Sequence, residues 1–132
     1  MRTVWTSRFD LTGRTPWVDG LLTGPMGVKR LRMIVDTGAW MTVIDAGIID
    51  ALGYSARMGH RLTKLVGADS AEPGYLLDVE WLETMGVKRH DFEVVCQTLP
   101  ANLGVEGLVG MDFLSGHVLT IDNIEGRILL PS

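Results

Sequence analysis

Met33-Ile34-Val35-Asp36-Thr37-Gly38-Ala39 is the stretch on which the reading of this chain turns. Three apolar residues carry one carboxylate to the end of an expected buried strand, and a hydroxyl, a glycine and an alanine follow at once. Aspartate is depleted in strands and costly to bury as a free anion, so its placement needs a reason. Taken alone, Asp-Thr-Gly is also ordinary turn chemistry, in which the aspartate bonds its own backbone. Three-residue matches arise often by chance.

The wider frame separates the two readings. Thr42-Val43-Ile44 follows the loop, and much later comes Gly107-Leu108-Val109-Gly110-Met111-Asp112-Phe113-Leu114. An apolar strand ending in Asp-Thr-Gly-Ala, then an apolar-Gly-x-Asp-apolar-Leu segment, resembles the retropepsin-like (retroviral-type) aspartic proteases, and most of all their single-domain bacterial members. The resemblance runs over residues 17–130, and its specificity rests on those two segments.

A chain of 132 residues reads as one domain over residues 1–132, large enough for a core without staples. Its hydrophobic fraction of 46% and charged fraction of 21% are those of a globular protein. The formal charge is −4, and no basic cluster extends beyond Lys88-Arg89-His90, which argues against nucleic-acid binding. The single cysteine, Cys96, has no partner for an internal disulfide and sits in an apolar run, as a small buried hydrophobe does. Neither a secretory signal nor a membrane-spanning segment is legible, so a cytoplasmic location is expected.

Along the chain, residues 2–11 read as a first strand, with Trp5, Ser7 and Phe9 on one face. Residues 17–22 and 29–35 read as a hairpin around Gly24-Pro25-Met26-Gly27. Asp45 is placed to cap a helix over residues 46–52, with Gly53 as its stop. Residues 75–81 alternate, with Tyr75, Leu77, Val79 and Trp81 on one face and Asp78 and Glu80 on the other. A strand over residues 90–97, an inner strand at Leu108-Val109, a short helix over residues 111–114 and a closing hairpin through residues 122–126 complete an all-β domain. The four tryptophans, Trp5, Trp17, Trp40 and Trp81, are expected mostly in the core or an interface.

The resemblance implies a closed β-barrel or sandwich with one or two short helices, active as a symmetric homodimer. Relatives of the pepsin type carry two Asp-Thr/Ser-Gly motifs on two lobes, whereas this chain has one, so the second aspartate must come from a second copy. Asp36, Thr37 and Gly38 are then the catalytic set. Thr37 bonds across the two-fold axis, and Gly38 clears space for substrate backbone. Substrate is expected against Ala39, Trp40, Leu108 and Val109, and under a covering hairpin, the flap, that presents Val66, Gly67, Ala68 and Asp69. Gly110 and Asp112 support the loop from below; Asp112 also reads simply as an anion at a helix start. Trp40 departs from the small or polar residue usual at its position, and either lines the site or fills the interface.

Two carboxylates held close cannot readily both ionise, so one acts as base and the other as acid on a peptide substrate, with no cofactor and no metal. His60, His90 and His117 lack ligand spacing, Ser70 and Ser115 lack a nucleophile frame, and Gly104, Gly107 and Gly110 form no phosphate loop. Two other readings stay open. One is a dimeric peptide-binding or scaffolding module of the same fold with little or no turnover; the other is a structural domain whose Asp36 only closes a turn.

Overall fold

The structure is a computed structural model that describes residues 4–9, 15–59, 61–63 and 74–131. In chain order the strands are β1 (Val4–Arg8), β2 (Trp17–Gly24), β3 (Gly27–Val35), β4 (Val43–Asp45), β5 (Arg61–Thr63), β6 (Gly74–Thr84), β7 (Val87–Gln97), β8 (Gly107–Val109), β9 (Thr120–Asp122) and β10 (Arg127–Pro131). Among the described residues two α-helices interrupt them, α1 (Ala46–Ala51) and α2 (Met111–Leu114), with 3-10 turns at Ala56–Met58 and Ala101–Leu103, so the expected all-β class with two short helices is borne out.

Strand order β2-β3-β8-β4-β7-β6 closes on itself because β2 also pairs with β6, giving a six-stranded barrel. The closure is tight at Gly20, where an added Cβ would lie 2.9 Å from Met33 Sδ. Alternation puts Val18, Leu22, Leu31, Met33 and Val35 into the barrel interior, while Arg30 and Arg32 point outward. The hairpin read around residues 24–27 is the β2–β3 pair, in register from Trp17↔Ile34 to Gly24↔Gly27.

Strand β6 departs from the half-buried strand read in the sequence. Leu77 and Val79 are buried and Trp81 is half-buried, but Leu76, Leu82 and Thr84 on the opposite parity are buried too. The strand pairs with β7 along its whole length, while its other edge pairs with β5 at its start and with β2 at its end to close the barrel. Trp81 lies under Lys88 Nζ at 4.1 Å, and Trp17 under the Arg32 guanidinium at 4.2 Å, so these rings are capped by cations rather than sunk in the core.

Helix α1 starts and stops as its sequence predicts. The Asp45 carboxylate accepts the Gly47 N–H at 3.1 Å, and Gly53 turns the chain at φ +89°. The other Asp45 oxygen accepts the Leu99 N–H at 2.9 Å and ties a distant connector to the same cap. Immediately beyond, the buried Tyr54 hydroxyl donates to the Thr23 carbonyl at 2.7 Å and accepts the Glu80 N–H at 3.0 Å. That one oxygen bridges β2 and β6. Burial raises the Tyr54 pKa, so the phenol stays protonated and able to donate. Tyr54→Phe leaves both backbone groups without their partner and is expected to cost roughly 1–3 kcal/mol, read from the midpoint of urea unfolding.

A separate three-stranded sheet, β1-β10-β9, joins the two ends of the chain, with Trp5↔Leu130 and Ser7↔Ile128 opposite each other. Trp5 and Phe9 pack from this sheet onto the barrel core. Both edges of β10 are filled from within the chain, by β1 and β9. Cys96 is buried, and burial pushes its thiol up to about 12, which fits a packing residue. Among the described residues no helix is long and apolar enough to cross a membrane.

Candidate active site

Strand β8 lies between β3 and β4, parallel to the first and antiparallel to the second. The chain leaving β3 must therefore pass across the end of β8 to reach β4, and Asp36 stands at the start of that crossing. Its N–H donates to the Val109 carbonyl at 3.0 Å, which continues the β3–β8 ladder one residue beyond Val35↔Val109. The Asp36 carboxylate accepts the Gly38 N–H at 3.0 Å, and the Ala39 N–H returns to the Asp36 carbonyl at 3.1 Å. The loop is thus an Asx turn at the end of a buried strand, and the turn chemistry and the strand-delivered carboxylate coexist. Asp36 and Ala39 are half-buried, while Thr37 and Gly38 are exposed.

The far side of the loop is held by a residue that the motif does not mark. Thr42 is fully buried; its hydroxyl donates to Asp112 Oδ1 at 2.8 Å and accepts the Gly110 N–H at 3.1 Å. Asp112 Oδ1 also accepts the Thr42 N–H at 2.9 Å and the Phe113 N–H at 2.8 Å. Two backbone bonds run beside them, Met111 N–H to the Ala39 carbonyl at 2.9 Å and Asp112 N–H to the Trp40 carbonyl at 3.1 Å. Helix α2 is clamped in turn from β7. Arg89 Nε donates to the Phe113 carbonyl at 2.9 Å, and Phe92 meets the Phe113 ring edge-on at 5.6 Å.

Thr42 is legible as a strand residue and nothing more, because its partners lie about 70 positions on. Thr42→Val keeps the shape and removes both hydroxyl bonds, leaving the Gly110 N–H buried without an acceptor. A loss of roughly 1–3 kcal/mol in thermal or denaturant unfolding is expected.

Residues 18–113 match a family model described as aspartyl protease. The chain belongs to the aspartyl protease family. A retropepsin-like aspartic protease from Rickettsia conorii superposes with a TM-score of 0.67 at 13% identity, covering 99% of this chain and 94% of that one. The retroviral protease-like domain of Ddi1 from Leishmania major gives 0.59 at 15%, covering 83% and 82%. The EIAV protease, solved with the inhibitor HBY-793, gives 0.53 at 17%, covering 82% and 91%. None of the curated proteins matches the chain. The fold of this aspartyl protease family member is retropepsin-like.

Against that fold, the residues singled out in the sequence divide. Asp36, Thr37, Gly38, Ala39 and Trp40 form one continuous loop, and Gly110 and Asp112 lie directly beneath it. Leu108 is half-buried and packs with Val43, Leu76 and Val95. Val109 is fully buried in the barrel core and supports the loop through its carbonyl. Its parity decides this, since a strand inside a closed barrel sends alternate side chains into the interior. Val66, Gly67, Ala68 and Asp69 lie outside the described residues. The arms that lead to them are paired, Arg61↔Leu76, Leu62↔Tyr75 and Thr63↔Gly74.

Two surface depressions, of about 330 Å³ and 310 Å³, open on the outside of β2 and β3 and share Asp19 and Arg30. No residue of the Asp36 loop lines either one.

Proposed function

We propose that this protein is an aspartic endopeptidase that works as a symmetric homodimer, with Asp36 and the partner's Asp36 activating water between them. The observation that supports it is the Asp36 loop: one carboxylate, half-exposed, on a turn bonded to the barrel through Val109 and braced by Asp112. Membership of the aspartyl protease family supports the same chemistry.

Two such carboxyls in contact hold one proton between them, because the second ionisation must overcome the charge of the first. The ionised member takes a proton from water as the water oxygen bonds to the scissile carbonyl carbon. The protonated member gives its proton to the carbonyl oxygen, leaving a neutral gem-diol. Collapse breaks the C–N bond as the nitrogen takes a proton from the carboxyl that now carries one. The gem-diol returns its hydroxyl proton to the other carboxylate, and the pair ends with one shared proton, as it began. Thr37 and Gly38 shape the loop around the carboxyl, and Ala39 keeps the wall low where an extended peptide would lie.

The test is Asp36→Asn, assayed for cleavage of an unfolded protein substrate with fold and association state checked alongside. Loss of cleavage with both retained supports the reading; cleavage that persists overturns it. Peptide binding without product in the unsubstituted protein, at acid and at neutral pH, would assign the chain to the binding-module class instead.

A further inference from the structure

Trp40 is 80% exposed and Met111 is 43% exposed, although each belongs to a residue type that folding ordinarily hides. They come from different ends of the sequence, yet their backbones are adjacent, through Met111 N–H to the Ala39 carbonyl and Asp112 N–H to the Trp40 carbonyl. Past Asp36, the chain segments that carry them hold no charge. No charged residue occurs from Thr37 to Ile44 or from Gly107 to Met111, and the Asp112 carboxylate is turned inward onto Thr42 and Phe113. Exposed tryptophan and methionine on uncharged segments match the composition of an interface core rather than of a solvated rim.

We infer that a second copy of this chain covers this surface, with Trp40 as the anchor that seats the two Asp36 loops against each other. The inference rests on the two-carboxylate reading above and names the residue through which the copies meet. Four residues span at most about 13 Å of extended chain, and the turn from Asp36 to Ala39 shortens that path further. If the two Asp36 carboxyls touch at a two-fold axis, Trp40 stands beside the axis, and its ring reaches the partner. Burying both indoles removes on the order of 300–500 Å² from water. That is a large share of the roughly 1,200 Å² needed by the smaller stable interfaces. The end strands give a second reason. With β10 filled on both edges by its own chain, the C-terminal strand is not available to be threaded between the copies.

Sedimentation velocity and cleavage kinetics of the unsubstituted protein, Trp40→Ala, Met111→Lys and Asp36→Asn test this, with circular dichroism as the check on folding. Because Trp40 is exposed, Trp40→Ala is expected to fold with an unchanged melting curve of the monomer. Its dimer dissociation constant should rise about 30-fold or more. Cleavage should fall at low enzyme concentration and return at high concentration, with KM unchanged. Met111→Lys should weaken the dimer in the same direction. A Trp40→Ala protein that stays dimeric at every concentration and shows only a raised KM makes Trp40 a substrate wall and overturns the inference, while the two-carboxylate reading stands. An unsubstituted protein that cleaves as a monomer overturns both. Cleavage surviving in Asp36→Asn overturns the catalytic reading, and the association measurements still decide the role of Trp40.

Discussion

Asp36→Asn is expected to lower cleavage by about 10³-fold or more, since it removes the proton donor and the proton acceptor of the reaction together. The side-chain oxygen of asparagine still accepts the Gly38 N–H, so the turn that now measures 3.0 Å is retained and the melting temperature should change little. The dimer should be no weaker, because two neutral amides at the axis lack the repulsion that two carboxylates create. A more demanding form of the experiment mixes the two proteins. If each active centre needs one carboxyl from each copy, a mixed dimer is inactive. Adding an equal amount of Asp36→Asn protein, with time for exchange, should then cut the cleavage rate to about half although no active chain has been removed. A rate that stays constant through the titration means that one chain holds a whole centre, and the two-copy mechanism falls.

The parts of this site that were legible in the sequence are those whose physics is local. Asp45 followed by a short apolar-periodic run and Gly53 marks a helix because a cap and a positive-φ stop act within a few residues. Asp122 reads as a turn residue for the same reason, and its carboxylate accepts the Ile124 and Glu125 N–H groups at 2.9 and 3.0 Å. The apolar run into Asp36 needed only period and composition. What was not legible depends on which strand lies beside which. Insertion of β8 between β3 and β4 is a pairing of residues more than 60 positions apart, and nothing in either segment encodes it locally. The role of Thr42 follows from that insertion, and so does the burial of Val109. Trp40 shows the converse limit. The sequence leaves its ring either lining the site or filling an interface, and the fold adds that the barrel leaves it 80% exposed.

Gly110→Ala is expected to be the most damaging single methyl in the protein's working half, and the cause is distance rather than dihedral angle. At φ −92° and ψ 179° the residue is in extended backbone that alanine adopts freely. A Cβ there would lie 2.5 Å from the Met41 carbonyl carbon, 2.7 Å from its oxygen and 2.8 Å from the Thr42 nitrogen. All three are backbone atoms, so no rotamer change relieves the clash. The 36–42 loop must move off the β8–α2 junction, and that motion pulls on the 3.1 Å bond from Gly110 N–H to Thr42 and the 2.9 Å bond from Thr42 N–H to Asp112. Overpacking and the broken buried bonds together cost about 3–5 kcal/mol. For a domain of this size that lowers the melting temperature on the order of 10–20 °C. The chain supplies its own control in Gly104, which has φ +66° and nothing within 4 Å of an added Cβ. There alanine meets only the left-handed strain of about 1–2 kcal/mol. Gly104→Ala should therefore melt well above Gly110→Ala and retain cleavage, whereas Gly110→Ala displaces the Asp36 carboxyl and loses cleavage even below its own melting point. Equal melting of the two variants would mean that the Asp36 loop does not rest on Gly110, and the bracing described for the site would have to be abandoned.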